Sequence, residues 1–198
     1  MKDEIFELVK SAFDIESSSI LKTKERIDKK QFLLAVDALA KAERIGASGC
    51  GHTGIACQHF AHLMCCIERP ARFISPAEAV HGGLGFLQKG DVILLASRGG
   101  KTDELLPIAD VCRRKGVTII GVTENPESPL AEKSDIVLLM AVERECDRYN
   151  CQGTTSFAVT NAIFDALQTA VLEATEFKNE DFAVIHPGGA VGKRLNNK

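Results

Sequence analysis

Short apolar runs alternate with longer helical segments over most of this chain, and this alternation constrains the fold more than any other feature. The runs are rich in Val and Ile and are apolar on both faces. Runs of this kind are typical of parallel strands covered on both sides, and helices between them indicate right-handed βαβ units. The predicted strands are residues 44–47, 71–74, 92–96, 117–122 and 136–140.

Apolar residues at helical spacing predict three long helices, over residues 53–67, 102–115 and 155–175. Residues 1–42 carry two further apolar stripes at the same spacing, which predict a helical N-terminal extension. One stripe comprises Ile5, Phe6, Leu8, Val9 and Phe13, and the other Phe32, Leu33, Val36, Leu39 and Ala40. The expected fold is α/β: one doubly wound domain over residues 1–198, with a five-stranded, mostly parallel sheet flanked by helices.

Local sequence signals predict the boundaries of two helices. Thr102, followed by two acidic residues, is predicted to cap the helix over residues 102–115, and Gly116 is predicted to end it. Ser128, followed by Pro129, predicts the start of a further short helix.

Composition argues against a nucleic-acid or membrane partner. The formal net charge is −3 with a pI near 6.0, so no basic field attracts nucleic acid, and one Tyr with no Trp provides no stacking platform. The charged start has no apolar signal segment, and no apolar run reaches the length of a membrane span. We expect a cytoplasmic protein.

The chain has seven cysteines, and their spacing predicts free thiols. No C-x-x-C pair occurs, so neither a zinc site nor any other metal site is expected. Without a secretion signal, disulfides are also not expected. Cys50 differs from the others because it precedes a predicted helix N-terminus, where a thiolate is favoured.

Two turns of similar composition follow predicted strands, at residues 49–54 and 97–102. Each is rich in glycine and hydroxyl groups and leads into a predicted helix. Free backbone N–H groups and the positive end of a helix dipole favour an anion at such turns. Ser97 and Thr102 flank Arg98 and Lys101 in the second turn, a set that suits a phosphate monoester. Two such turns on one sheet predict a site for a phosphorylated small molecule.

A dinucleotide is the alternative ligand for the first turn, because Gly49, Gly51 and Gly54 match the dinucleotide-binding spacing. That interpretation needs an acidic residue at the end of the second strand, where Ile74 and Ser75 stand instead. No phosphate-binding loop with a Walker lysine occurs either. A sugar phosphate therefore fits better than a nucleotide.

Three histidines fall in predicted loops, namely His52, His81 and His186, and two carboxylates, Glu104 and Glu145, follow strand ends. Each could also be a solvated loop histidine or a helix-capping acid. If the strand ends converge, a carboxylate and one or two histidines beside a phosphate suit proton transfer next to a carbonyl through an enediol.

These residues together resemble the sugar isomerase (SIS) domain, from about residue 30 to the end. Within that family, the chain resembles the arabinose 5-phosphate isomerases and their capsule-biosynthesis relatives. The resemblance rests on Gly49-x-Gly51-x-Thr53-Gly54, Glu78-Ala-x-His81-Gly-x-Leu-Gly85, Ser97-x-x-Gly100-x-Thr102, Glu145, Thr154-Thr155-Ser156 and Asp181-Phe-Ala-x-x-His186-Pro-Gly-Gly.

The resemblance implies a role for each matched residue. Glu145 would be the isomerisation base, His186 and His81 would assist ring opening, and Glu104 falls where the family has a functional carboxylate. The residues implied to grip the phosphate are Thr53, Ser97, Thr102, Thr154, Thr155 and Ser156. The resemblance further implies no metal or cofactor, and a homotetramer in which a neighbouring subunit contributes a histidine. Longer relatives carry CBS domains, and this sequence is expected to hold the SIS domain only.

Several positions depart from the family pattern. His52 stands where the isomerases have Lys, Gly99 where they have Ser, and Gly83 where they have Asp. Arg98 and Lys101 are also unusual there and could compensate by charge. The predicted function is an aldose–ketose isomerase acting on a sugar phosphate. The alternatives are a non-catalytic SIS module that senses a sugar phosphate and, less expected from the His186-Pro-Gly-Gly segment, a lyase of the N-acetylmuramic acid 6-phosphate type.

Overall fold

A computed structural model describes residues 2–196 and contains a five-stranded sheet in which every pairing is parallel. The strand order is β2-β1-β3-β4-β5. The strands are β1 (Ile45–Ser48), β2 (Ala71–Phe73), β3 (Val92–Ala96), β4 (Thr118–Thr123) and β5 (Ile136–Leu139). The predicted doubly wound α/β fold is confirmed, and each strand lies within one residue of its predicted bounds.

Helices cover both faces of the sheet and both ends of the chain. They are α1 (Lys2–Glu25), α2 (Lys29–Lys41), α3 (Gly51–Cys65), α4 (Pro76–Ala79), α5 (Leu106–Lys115), α6 (Pro129–Lys133), α7 (Thr155–Ala174), α8 (Asn179–Ile185) and α9 (Gly189–Asn196). A 3-10 turn spans Gly83–Phe86. Within residues 2–196, no helix is both long and apolar enough to cross a membrane.

Alternate residues of β3 divide the core into two layers. Leu94 and its neighbours two residues away pack with helices α2, α3 and α7, where Phe60 and Phe164 meet at 4.9 Å between ring centroids. Ile93 and Leu95 face the opposite way, toward α5 and α6. This alternation is the period of two that a strand imposes on its side chains.

The predicted start of the helix over residues 102–115 is wrong. Helix α5 begins at Leu106, and its N-cap residue Leu105 makes no side-chain capping bond. Pro107 explains the later start, because a proline is tolerated in the first turn of a helix but removes a hydrogen bond and clashes further inside. Thr102 instead lies in a turn and its carbonyl accepts the Leu105 N–H at 3.0 Å. The predicted end at Gly116, with φ +70°, is confirmed.

The predicted cap at Ser128 is confirmed, since its side chain accepts the Ala131 N–H at the start of α6. The helices α4, α8 and α9 were not predicted. They are short, and in the sequence they lie among glycines and prolines that suggested loops.

The N-terminal helices cover the β5 edge of the sheet with side-chain hydrogen bonds. The Val137 N–H donates to Gln31 Oε1 at 2.8 Å, and the Ala141 N–H donates to Thr23 Oγ1 at 2.9 Å. These bonds occupy backbone groups that an open edge strand would leave unpaired. The apolar stripe of α1 is left exposed, and Phe13 at 73% is its most exposed member.

Candidate functional site

The two glycine turns lie side by side, because β1 and β3 are neighbours in the sheet. The first turn follows β1 and the second follows β3, so both leave the carboxyl edge of the sheet. In a sheet of this strand order, the chain runs in opposite directions across the sheet from β1 and from β3. In doubly wound proteins the crevice between two such strands binds the ligand, so we take the crevice between β1 and β3 as the candidate site.

Close backbone packing forms the first turn (residues 49–54). Gly51 begins helix α3 with φ +56°, in the left-handed region that favours glycine. A Cβ atom on Gly54 would lie 2.7 Å from the Gly49 carbonyl oxygen, so only glycine fits there. Thr53 is half-buried in the first turn of α3, and its hydroxyl makes no hydrogen bond within the described part of the chain. The Thr53 hydroxyl is therefore available to a ligand.

Side-chain hydrogen bonds form the second turn (residues 97–102). Ser97 Oγ and Thr102 Oγ1 are 2.8 Å apart, and the Gly100 N–H donates to Ser97 Oγ at 3.1 Å. Gly100 has φ +65°, and a Cβ atom there would lie 2.1 Å from Ser128 Oγ. Two hydroxyl groups are thus held together beside glycine amides, an arrangement suited to phosphate oxygens.

The Arg98 side chain contacts residues that follow β4 and β5. Its Nε donates to Glu124 Oε2 at 2.9 Å, its Nη1 to Glu145 Oε1 at 2.8 Å, and its Nη2 to the Val142 carbonyl at 3.0 Å. All three guanidinium nitrogens are therefore occupied. Since two of its partners are carboxylates that balance its charge, Arg98 is less suited than the sequence suggested to compensate a bound phosphate.

Glu145 lies buried, 3% exposed, beneath the start of α7. Its Oε1 accepts the Arg98 bond, and its Oε2 accepts the Ser156 N–H at 3.1 Å and faces Thr154 Oγ1 at 3.5 Å. The positive end of the α7 dipole adds to the guanidinium charge. The Glu145 carboxylate is thus compensated from both sides.

At the start of α7, where the resemblance implies contacts with a phosphate, one residue is half-exposed and two are buried. Thr154 is half-exposed, and its Oγ1 accepts the Cys146 N–H at 3.0 Å. Thr155 is fully buried, with its hydroxyl 3.3 Å from Cys146 Sγ, and Ser156 is 8% exposed. Of the three side chains, Thr154 is the best placed to meet a ligand.

Lys101 remains as the cation of the second turn. Its side chain is exposed, and it makes no ion pair with any other residue in the range 2–196. Lys101 is therefore the cation of this turn whose charge no described residue pairs.

Glu104 follows the second turn but faces the first one. It lines a cavity of about 350 Å³ together with Gly49, Cys50, Gln58 and Ser75. Burial, and then the negative charge of Glu104, raise the pKa of the Cys50 thiol. The thiolate expected at Cys50 from its place before a helix is therefore not favoured.

Two of the three candidate histidines lie at or near this edge of the sheet. His52 does not lie in a loop as predicted, because α3 begins at Gly51 and includes it. It is exposed and packs beside Gly153 and Phe157, with ring centroids 6.2 Å apart. His81 is exposed just after α4, whose first residue, Pro76, lines the cavity of Glu104. His52 thus lies between the first turn and the start of α7.

His186 lies far from both turns within the same chain. It follows α8, which packs near the last turns of α7, where Phe182 lines one groove with Leu172. Leu172 lies 16 residues along α7 from Ser156, which contacts Glu145, and this is about 24 Å at 1.5 Å per residue. The His186 ring stacks on Phe182 at 4.9 Å, and its Nδ1 is buried without a hydrogen-bond partner among the described residues.

All seven cysteines are free, as predicted. Residues 2–196 contain no group of three or more His, Cys, Asp or Glu side chains arranged to hold a metal ion.

Two contributors to the site were not predicted, Thr123 and Glu124. Thr123 Oγ1 donates to the Arg98 carbonyl at 2.9 Å, and the Glu124 carboxylate accepts from the Arg98 side chain. Both could have been predicted from their place in the sequence. They lie at the carboxyl end of β4, as the second turn lies at the carboxyl end of β3, and the carboxyl ends of neighbouring parallel strands meet at one edge of the sheet.

Comparison with known proteins reveals close relatives. A family model described as SIS domain matches residues 38–170. The arabinose 5-phosphate isomerase KdsD of Pseudomonas aeruginosa is 41% identical over 79% of this chain and 48% of its own length. The arabinose 5-phosphate isomerase KpsF of Escherichia coli is 33% identical over 91% of this chain and 55% of its own. The chain thus spans about half the length of these relatives.

Solved structures match over nearly the whole chain. A candidate sugar-phosphate isomerase from Listeria monocytogenes has a TM-score of 0.91 at 38% identity, covering 95% of this chain and 99% of that one. An Escherichia coli CFT073 protein in complex with arabinose 5-phosphate has a TM-score of 0.86 at 25% identity, covering 94% of this chain and all of the other.

Proposed function

Because this chain belongs to the SIS domain family, we propose that it is an aldose–ketose isomerase of a sugar phosphate, with arabinose 5-phosphate as the first candidate. The observation that carries the proposal is the pair of Ser97 and Thr102 hydroxyls in a turn whose Arg98 side chain contacts the buried Glu145. A phosphate cradle and a carboxylate are the two elements that such an isomerisation needs. The relatives named above as arabinose 5-phosphate isomerases support the choice of sugar.

We propose that the phosphate occupies the second turn. The hydroxyls of Ser97 and Thr102 and the turn amides bind its oxygens, and the exposed Lys101 ammonium balances its charge. Thr53 and Thr154 are the additional hydroxyls that border the crevice. The remainder of the sugar then extends toward the first turn and Glu104, across the β1 and β3 strand ends.

The proposed reaction moves one proton between neighbouring carbons. Glu145 takes the proton from C2 of the open-chain aldose while the C1 carbonyl oxygen gains a proton, which gives the enediol. A proton then returns to C1 as the C2 hydroxyl loses its own, which gives the 2-keto sugar. Glu104 and His52 are the other proton-carrying groups in reach of the crevice. C1 is reduced as C2 is oxidised, so the step needs no external oxidant or reductant.

We further propose a homotetramer. The exposed α1 stripe, which includes Phe6 and Phe13, supports burial of this helix against other copies of the chain. Since His186 lies about a helix length from Glu145, a role for His186 at the site requires a second copy. His81, exposed beside the crevice, faces either the ligand or such a neighbour. Free cysteines throughout support a cytoplasmic location.

Deuterium exchange tests the isomerase proposal. Wild-type protein incubated with arabinose 5-phosphate in deuterated water should form the 2-keto pentose with deuterium next to its carbonyl. Glu145→Gln keeps the shape of the side chain but removes the base, and should lower kcat by about 100-fold or more. Glu173→Gln, an exposed residue in the last turn of α7, is the matched control and should leave kcat unchanged. Full turnover by Glu145→Gln would reject Glu145 as the base.

The alternative is a non-catalytic module that binds a sugar phosphate. It is favoured by the contacts of Glu145, because both carboxylate oxygens already accept hydrogen bonds, one from Arg98 and one from the Ser156 N–H. A panel of pentose and hexose phosphates separates the two functions. Sugars that raise the melting temperature of the wild type without any deuterium exchange would establish the binding module and exclude the isomerase.

A further inference from the structure

We propose that Arg98 is a positioning residue that connects the phosphate turn to Glu145, so that the occupied turn fixes the carboxylate in place. The inference rests on the proposed function for its catalytic consequence. Its structural part, a coupling between the turn and the start of α7, stands on the contacts of the Arg98 side chain.

Arg98 joins three strand ends through a single side chain. It leaves the end of β3, and its guanidinium contacts Glu124 after β4 and both Val142 and Glu145 after β5, all at 2.8–3.0 Å. Its backbone is held as well, because the Arg98 carbonyl accepts the Glu124 N–H and the Thr123 hydroxyl, each at 2.9 Å. The residue therefore has little freedom to move independently of β4 and β5.

Only arginine has donors that fit this arrangement. Its planar guanidinium carries donors that diverge in fixed directions, whereas a lysine ammonium is a point charge on a flexible stem. A lysine at position 98 could satisfy one acceptor fully, and would leave Glu124 and the Val142 carbonyl without the same partner. The Arg98→Lys variant would thus keep the positive charge but lose the three-way hydrogen bonding.

The contacts continue from Arg98 to helix α7. Arg98 holds Oε1 of Glu145, and the Ser156 N–H holds Oε2, so the carboxylate bridges the second turn and the start of the helix. Ser97 and Gly100, which form the proposed phosphate cradle, lie one residue before and two residues after Arg98. A shift of the cradle when it binds an anion is therefore transmitted to Arg98 and, through it, to Glu145.

Steady-state kinetics with Arg98→Lys tests the catalytic consequence. The variant should lower kcat by about tenfold or more, since misplacing a reacting group has large effects on rate, while KM changes by less than about threefold. Lys101→Met is the comparison, because loss of the phosphate cation should raise KM with little change in kcat. A wild-type kcat in Arg98→Lys, or a loss confined to KM, would overturn the positioning role.

Glu124→Gln provides a second variant that keeps Arg98 and Glu145. It weakens only the Nε bond, and should lower kcat by about two- to fivefold without a change in KM. An unchanged kcat in Glu124→Gln would contradict the role of the three-way contact in orienting Arg98.

Amide NMR tests the coupling without any turnover. On titration with inorganic phosphate, the Gly100 and Ser156 signals of the wild type should shift with one common Kd. In Arg98→Lys the Gly100 shift should persist and the Ser156 shift should be lost. If the Ser156 signal responds equally in both proteins, the inference is wrong. If the wild type turns over no sugar phosphate yet this NMR result is obtained, the isomerase proposal fails and the coupling through Arg98 holds.

Discussion

The two glycine turns of this protein have similar sequences but are stabilised by different forces. The first turn, residues 49–54, depends on backbone packing, with Gly54 in direct contact with the Gly49 carbonyl. The second turn, residues 97–102, depends on side-chain hydrogen bonds, between Ser97 and Thr102 and from Arg98 to two carboxylates. The first turn therefore shapes the crevice, and the second supplies its charge and its polar groups.

This difference bears on His52 and Gly99, the positions in the two turns where the resemblance predicts a departure from the family pattern. His52, at the start of α3, packs against Gly153 and Phe157. In the second turn, Gly99 provides no hydroxyl, but the pair of Ser97 and Thr102 is present. Lys101 gives the second turn an exposed cation, whereas the first turn contains no Lys or Arg.

The largest expected effect is that of Gly100→Ala in the second turn. The φ of +65° strains any other residue, and the new Cβ would lie 2.1 Å from the Oγ of Ser128, which caps α6. Strain and overpacking together should lower the free energy of unfolding by about 2–5 kcal/mol. Thermal or urea unfolding measures this loss.

Gly99→Ala is the matched control for that substitution. No atom lies within 4 Å of a Cβ at position 99, and its φ is not in the left-handed region. Its free energy of unfolding should change by no more than about 1 kcal/mol. Equal losses in the two variants would show that the second turn does not depend on the Gly100 contact with Ser128.

The next effect compares hydroxyl groups between the turns. Thr102→Val removes one hydroxyl and also leaves Ser97 Oγ without its partner, whereas Thr53→Val removes one isolated hydroxyl. We expect about a thirtyfold rise in the Kd for arabinose 5-phosphate with Thr102→Val and about a tenfold or smaller rise with Thr53→Val. Calorimetric titration of both variants gives the ratio. A larger rise in Kd for Thr53→Val than for Thr102→Val would indicate that the phosphate binds at the first turn.

The fold was predictable because its signals are local. Each buried strand is a short apolar run, and β3, apolar at every position from Val92 to Ala96, shows this most clearly. The start of α5 was misplaced because Thr102 and its acidic neighbours look like a helix cap, while Pro107 five residues later limits where the helix can begin. Two valid local signals conflicted, and the proline determined the outcome.

The site was predictable only in part. Parallel strand ends share an edge, so the neighbourhood of the two turns, Glu104 and Glu145 follows from the sequence. The pairing of Arg98 with residues 26 and 47 positions away does not, because it depends on side-chain direction after folding. The position of His186 depends on how α7 carries the chain to the far end of the molecule, which no local pattern near His186 encodes.

The smallest expected effect concerns the charge that one turn imposes on the other. Glu104 follows the second turn but raises the pKa of Cys50 in the first, after the larger contribution of burial. Glu104→Gln removes a negative charge, so the pKa of Cys50 should fall and its thiolate fraction at pH 7.5 should rise, with about two- to threefold faster alkylation by iodoacetamide. Mass spectrometry of the Cys50 peptide gives the rate, and exposed Cys65 provides the control that should not change. An unchanged Cys50 rate would mean that Glu104 is turned away from the first turn in solution, and the two turns would then border the crevice without an electrostatic connection.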